Sequence, residues 1–453
     1  MKFLLPVLPS GNLQSDFSNT PNTELRVEHL VSRAGNDVIF NDMRMCNPDK
    51  CVEKILNTLS GVDCVLFSSN SCNIGLVLKC ARAIQKSKQG VKVMLGGRHA
   101  TAIKNKPEFY EDCIDVYVHG FLWSVTDVIR VENALYYDRK HVNLPNLIPY
   151  CIDDIIMPLD FDLLGENAVC KKGAGGWLLK ENKTLRMQNM MFGVGCKYNC
   201  IFCDNPFNKM NNADPVKIMS EINRRREKYK INALKIDDDD PLQDEQWTEK
   251  FIYCLNYYQI EDLSFLMSTR CFTKNVDVKI KQMQKLEKCG LKVLGIGIEF
   301  PSDKVLRTVK KGIKVEHIKN TINLLNKHTD IKILCYSIFG LPETDEESVK
   351  EAMNFVKWAK DKVTYMSMTS CTPLINTELY DNHKQYGAKI NFDVKEYNNY
   401  YFVGDFDKVK LKYNYLDYQK YMDLKVKMYS CLKENGFLRK ETENDIVQAG
   451  HKI

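Results

Sequence analysis

The 453-residue sequence contains no uninterrupted apolar run near the ~18 residues that a membrane-crossing helix needs. No such span is expected. It also has no internal repeat and no low-complexity tract, which leaves ordinary globular domains. A secretory leader is not expected either: the apolar start at residues 1–9 is short and is broken by Pro6 and Pro9, so a buried first strand is the better reading. Charge of one sign is scarce. There are 64 basic and 58 acidic residues, and the excess of +6 is small for a chain of this size. Arg224–Arg226 and the lysines at 408–412 read as solvated faces, and nothing in the balance demands a nucleic acid. Finally, no second C-x2-C pair and no histidine pair occurs, which weakens any structural zinc site, since zinc normally takes four ligands in two separated pairs.

What is present is enough apolar material, 44%, for sizeable cores, and length for two or three domains of ~100–200 residues each. The 17 cysteines are spread over the whole length. Without a leader, they fit a reducing cytoplasm in which most thiols are free and buried.

Short apolar runs at residues 3–8, 37–40, 64–67, 91–95 and 114–118 alternate with amphipathic stretches such as 52–59 and 74–86. Strands alternating with helices predict a parallel sheet covered on both faces, a Rossmann-like doubly wound domain over residues 1–125. Residues 126–183 lose the rhythm and read as a linker, with prolines at 145 and 149 and glycines at 173, 175 and 176. A second alternation fills 184–385, with strands expected at 187–193, 233–236, 263–268, 293–298, 333–339 and 365–369 and helices at, for instance, 216–228 and 278–289. Six such units predict a partial parallel (β/α)6 barrel. Residues 386–453 form a C-terminal extension with helical periodicity at 415–435.

The decisive stretch is Gly193-Val194-Gly195-Cys196-Lys197-Tyr198-Asn199-Cys200-Ile201-Phe202-Cys203, a C-x3-C-x2-C spacing just after the first strand of the second region. Barrel active sites are built from loops at strand C-termini, and closely spaced thiolates in one loop can reach three irons of one cubane. A fourth iron is then left for a small ligand. This motif, with aromatic Phe202 before the last cysteine, resembles the signature of the radical S-adenosylmethionine (SAM) superfamily. The resemblance implies a [4Fe–4S] cluster on Cys196, Cys200 and Cys203. It further implies SAM bound to the open iron and cleaved reductively to a 5′-deoxyadenosyl radical, with an electron donor such as flavodoxin or ferredoxin.

Later segments resemble the superfamily in order. Leu234-Lys235-Ile236-Asp237-Asp238-Asp239-Asp240 places Asp238 against the SAM ammonium. Arg270, ending the third strand, pairs with its carboxylate. Gly295-Ile296-Gly297-Ile298-Glu299 puts Glu299 on the ribose hydroxyls, with the glycines allowing close approach of a ligand. Ile338 and Gly340 line the adenine. Thr372-Pro373-Leu374-Ile375-Asn376-Thr377 resembles a sixth-strand ending, with Ile375-Asn376 where Pro-Gly is usual. No catalytic acid or base is assigned.

The first domain resembles the cobalamin-binding domain of one branch of the superfamily, the class B methyltransferase-like proteins. Ser68 and Ser69 after the third strand, Gly96 and Gly97 after the fourth, and Gly120 after the fifth carry that resemblance, at strand ends where doubly wound sheets bind ligands. The stretch Asn41-Asp42-Met43-Arg44-Met45-Cys46 lacks the histidine with which some such domains ligate cobalt. The resemblance implies a cobalamin-dependent methyltransferase acting on a small molecule or peptide. The alternative is radical cyclisation, rearrangement, oxidation or epimerisation without functional cobalamin. A non-catalytic iron–sulfur or zinc protein is the third reading.

Overall fold

The computed structural model describes residues 1–9, 20–70, 73–144, 152–171, 179, 184–205, 207, 209–260, 262–391 and 411–437. The chain divides into two compact units, which meet in sequence near residue 174.

In the first unit six parallel strands stand in the order β2-β1-β3-β4-β5-β6. They are Lys2–Val7 (β1), Asp37–Asp42 (β2), Cys64–Ser68 (β3), Lys92–Gly96 (β4), Val116–His119 (β5) and His141–Asn143 (β6). The sequence shows them as near-continuous apolar runs because parallel strands are covered on both faces; Leu4, Cys64 and Val65 have no exposed surface. The connecting helices are Asn22–Arg33 (α1), Pro48–Thr58 (α2), Ile74–Lys86 (α3), Gly97–Ala102 (α4) and Val125–Tyr136 (α5). The strand order reverses between β1 and β3, the switch point at which doubly wound sheets open a crevice at their carboxyl edge.

The first domain does not end at residue 125. A capping box between Ser124 and Asp127 starts α5 there, and β6 then pairs in parallel with β5. With only Val142 apolar, β6 gives almost no sequence signal. Residues 145–149 and 173–176, on which the linker expectation leaned, lie outside the described residues.

The second unit is a sheet of six parallel strands in strictly sequential order: Met187–Met190 (β7), Ala233–Ile236 (β10), Ser264–Thr269 (β11), Leu291–Glu299 (β12), Lys332–Phe339 (β13) and Tyr365–Ser370 (β14). Each strand pairs with its predecessor, and β7 and β14 form the two edges, as in a barrel left open. The expected first strand over 187–193 is interrupted after Met190, and Gly193–Val194 (β8) turns aside to pair antiparallel with Asn211–Asn212 (β9). Helices Pro215–Tyr229 (α6), Glu245–Tyr257 (α7), Val276–Lys288 (α8), Asp303–Thr308 (α9), Val315–His328 (α10) and Glu346–Ala359 (α11) separate the strands. A hairpin of Ala388–Ile390 (β15) and Leu411–Tyr413 (β16) precedes the C-terminal helix Tyr418–Glu434 (α13), and the short Glu378–Asp381 (α12) lies before it. Among the described residues no helix is long and apolar enough to cross a membrane.

Gly97 shows how tightly the carboxyl edge of the first sheet is closed. Its φ is +89°, and a Cβ there would lie 2.6 Å from the Ser69 carbonyl oxygen. Left-handed backbone costs a non-glycine residue energy, and the neighbour it meets is rigid backbone. Gly97→Ala should therefore destabilise the chain by about 2–4 kcal/mol, seen as a lower urea midpoint.

Candidate functional site

The cysteine loop has no regular structure of its own and is held by its ends. The β8–β9 ladder clasps it at the base. Within the clasp, Cys196 N–H donates to the Phe207 carbonyl at 3.0 Å, and Gly195 (φ +98°) passes so close to the Lys209 carbonyl that a Cβ would overlap it. Further along, Cys203 N–H donates to the Cys200 carbonyl at 3.1 Å in a tight turn. Between those two cysteines Ile201 is buried: its N–H donates to the Val309 carbonyl at 3.2 Å and its carbonyl accepts from Leu379 N–H at 2.8 Å. Asn205 ties the far end to Asp239 at 2.6 Å.

The three sulfurs are unpaired thiols, half-buried at Cys196 and Cys200 and exposed at Cys203. Gln243 donates to the Cys196 sulfur at 3.2 Å, and its amide oxygen accepts from Lys197 N–H. Arg270 approaches the Cys200 sulfur at 3.6 Å while stacked on the Tyr198 ring, with its guanidinium carbon 3.6 Å from the ring centre. Burial raises the Cys196 thiol above its ordinary value, so it takes a metal by giving up a proton. Among the described residues no three Cys, His, Asp or Glu side chains are close enough to hold a single metal ion. Three thiols on one loop would suit a cubane instead, in which each would bind a different iron.

The side chains expected around SAM divide into two groups. Arg270 and Glu299 lie at the carboxyl ends of β11 and β12, and both are buried. Arg270 has its guanidinium turned to the cysteine loop. Glu299, in the left-handed region (φ +54°) at a bulge in β12, faces the Lys311 ammonium at 2.5 Å. Phe202 and Ile338 are half-buried.

Asp238 and the glycines also make contacts within the chain. Asp238 accepts from the Phe192 N–H at 2.8 Å, while its other carboxyl oxygen is buried with no hydrogen-bond partner among the described residues. Burial, with Asp237 and Asp239 alongside, holds its carboxyl well above the usual range. It braces the β7–β8 turn under the cluster loop. Gly295 and Gly297 make room for the chain itself: a Cβ at 295 would overlap the Tyr336 ring, and one at 297 would lie 2.8 Å from Glu299 Oε1 and 3.0 Å from Lys311 Nζ. Gly340 (φ +82°) lies under the Tyr421 hydroxyl of α13, and its carbonyl accepts from Tyr413. In the first unit, Ser69 N–H donates to the Gly96 carbonyl and His99 N–H to the Ser69 carbonyl, while Gly120 N–H donates to Thr101.

Sequence reasoning missed Gln243, Lys311, Asp240 and Tyr421. Asp240 is buried, accepts from Thr269 at 2.9 Å, and has its carboxyl raised by burial. Gln243, three residues beyond the aspartate run, carried only its proximity to that run as a signal.

Residues 190–356 match the profile of the Radical SAM superfamily. The chain carries a radical SAM domain. That domain binds a [4Fe–4S] cluster and SAM, and it contains the whole cysteine motif and the strand ends just described. The chain is also 21% identical over 400 residues to the bacteriochlorophyllide d C-12(1)-methyltransferase of Chlorobaculum tepidum, covering 85% of this chain and 78% of that one. Among solved structures it is similar to the cobalamin-dependent SAM radical enzyme OxsB with aqua-cobalamin and SAM bound, with TM-score 0.60 and 15% identity over 85% of this chain. The apo form of OxsB gives TM-score 0.60 at 14% identity. The chain spans 55% of the first OxsB chain and 60% of the second, and the likeness is one of fold.

Two measurements check this geometry. Gly195→Ala should reconstitute with far less iron than the parent while keeping its far-UV circular dichroism, because the clasp, not the fold, is what the added methyl strains. For Asp238, a carboxyl raised in the folded state means that ionisation opposes folding. In the cofactor-free chain its contribution is therefore intact below about pH 4 and is lost as pH rises toward the folded value. Asp238→Asn should flatten the fall in urea midpoint between about pH 4 and 8; parallel curves for variant and parent would contradict the assignment.

Proposed function

We propose that this radical SAM enzyme is a cobalamin-dependent methyltransferase acting on an unactivated carbon or phosphorus centre of a small molecule or peptide. The observation that carries the reading is the six-stranded parallel sheet preceding the barrel, with its switch point between β1 and β3. The methyltransferase relative and the OxsB fold, each matched over 85% of this chain, support it.

Cys196, Cys200 and Cys203 would hold the cluster, with Gln243 and Arg270 beside their sulfurs. Arg270 would pair with the SAM carboxylate, and Glu299 would accept from the ribose hydroxyls. Ile338 and Gly340 would line the adenine with Phe202 nearby, and Asp238 would face the SAM ammonium with the carboxyl oxygen that has no partner among the described residues. When bound, the cluster supplies the electron that cleaves SAM reductively to the 5′-deoxyadenosyl radical. The chain's own part is to orient SAM, keep water from the radical and tune the cluster through hydrogen bonds to its sulfurs.

In the first unit the stretch after β2 would offer a bound corrin no histidine. The position after β2 carries a two-pronged Asp42–Arg44 pair, at 2.8 Å for each contact, instead of a histidine. Glu24 of α1 lies against Ser68 and near Arg44, and burial raises its carboxyl. Ser68, Ser69, Gly96, Gly97 and Gly120 would offer backbone and small side chains at the carboxyl edge. When bound, cobalamin supplies the methyl group.

After anaerobic expression with cobalamin, the chain should carry about four irons and about one cobalt. It should also form S-adenosylhomocysteine only in cobalt-loaded preparations. Iron without cobalt, with 5′-deoxyadenosine still released, would replace methyl transfer by radical rearrangement, cyclisation or oxidation, and leave the first unit a scaffold.

A further inference from the structure

The turn at residues 309–312, between α9 and α10, touches three parts of the site at once. The Val309 carbonyl accepts from Ile201 N–H at 3.2 Å, between Cys200 and Cys203. The Lys311 carbonyl accepts from Arg270 Nη2. The Lys311 ammonium meets Glu299 Oε1 at 2.5 Å, with both side chains buried. The turn is built for these contacts at a conformational cost. Lys310 (φ +54°) and Glu299 (φ +54°) both occupy the left-handed region without being glycine, and Gly297 has to be glycine to leave room for the pair. Burial opposes the Lys311 charge, yet Glu299 holds the ammonium above the ordinary lysine value. A lone buried lysine would instead tend to lose its proton.

We propose that Lys311 is a positioning residue of the SAM site, holding Arg270 through its backbone carbonyl and Glu299 through its ammonium, in a turn that also anchors the cluster loop. Among the described residues no carboxylate is bonded to the Arg270 fork, although the Asp240 carboxyl lies within charge range, and the Lys311 carbonyl fixes the direction of the guanidinium. Lys311 takes Glu299 Oε1, and among the described residues no hydrogen bond engages Oε2, which would accept from a donor on the ligand. One turn thus holds Arg270 beside the Cys200 sulfur and Glu299 at the end of the neighbouring strand, a cation for a ligand carboxylate and an acceptor for ligand hydroxyls. The inference rests on the reading that Arg270 and Glu299 contact SAM.

The test uses the full chain with its cluster reconstituted. It measures iron content, equilibrium SAM binding and the change that SAM produces in the electron paramagnetic resonance spectrum of the reduced cluster. Lys311→Met keeps the backbone carbonyl and removes only the ammonium. It should retain about four irons per chain and weaken SAM binding by about tenfold or more, since the Glu299 charge is left buried and unpaired. Lys311→Arg should recover part of that loss, and Glu299→Gln should weaken SAM without adding its full cost in the Lys311→Met background. Lys311→Met binding SAM within twofold of the parent would overturn the proposal. Loss of iron in that variant would also overturn it, by making Lys311 a fold residue. If Arg270→Gln and Glu299→Gln both bind SAM as the parent does, the underlying reading fails and takes the proposal with it. If they weaken SAM while Lys311→Met does not, only the role of Lys311 fails.

Discussion

In the proposed site three sulfurs converge on one cubane from a loop whose described residues between Gly195 and Met210 carry no helix or strand, and much of the barrel's carboxyl face is arranged to make that possible. A free loop would have to lose its conformational entropy when metal binds. Here the β8–β9 ladder, the Cys196–Phe207 hydrogen bond and the buried Ile201 remove most of that freedom beforehand. The interruption of the first barrel strand after Met190 follows from the same need, since the chain must leave the sheet at Gly193 to form the clasp. Asp238, reaching back to the Phe192 N–H, braces the point of departure.

The electrostatics of the face follow from that framework. Buried charges persist in a protein only when paired or hydrogen-bonded. Glu299 with Lys311, and Arg270 with a backbone carbonyl and the Tyr198 ring, meet that condition. Asp240 is held among the cations Arg270, Lys279 and Lys311. The result is a low-water surface of mixed charge beside the thiols, where polar interactions with a bound molecule are stronger than in solvent. Tyr421 and Tyr413 close the same face over Gly340 from the C-terminal segment, which is therefore part of the barrel's wall.

The architecture was legible because parallel strands buried on both faces leave unbroken apolar runs: 233–236 was read to the residue, and so was the helix Ile74–Lys86. The three-residue β6, with one apolar side chain, left no such trace. The C-x3-C-x2-C spacing of Cys196, Cys200 and Cys203 was visible because it is local in the sequence. What surrounds them was not, because it depends on contacts between distant residues. Gly295, Gly297 and Gly340 read as room for a ligand, whereas Tyr336, Lys311 and Tyr421 fill that room. Nothing local in the sequence marks Lys311, and only the fold shows it to be buried against Glu299 twelve residues earlier.

The most direct test of the account is whether the iron-loaded chain, given SAM and a low-potential reductant without oxygen, forms 5′-deoxyadenosine. The account predicts 5′-deoxyadenosine and methionine in the parent, and neither from a variant in which Cys196, Cys200 and Cys203 are all alanine. A preparation that binds zinc in place of iron, or that carries a full cluster and leaves SAM intact, would contradict it.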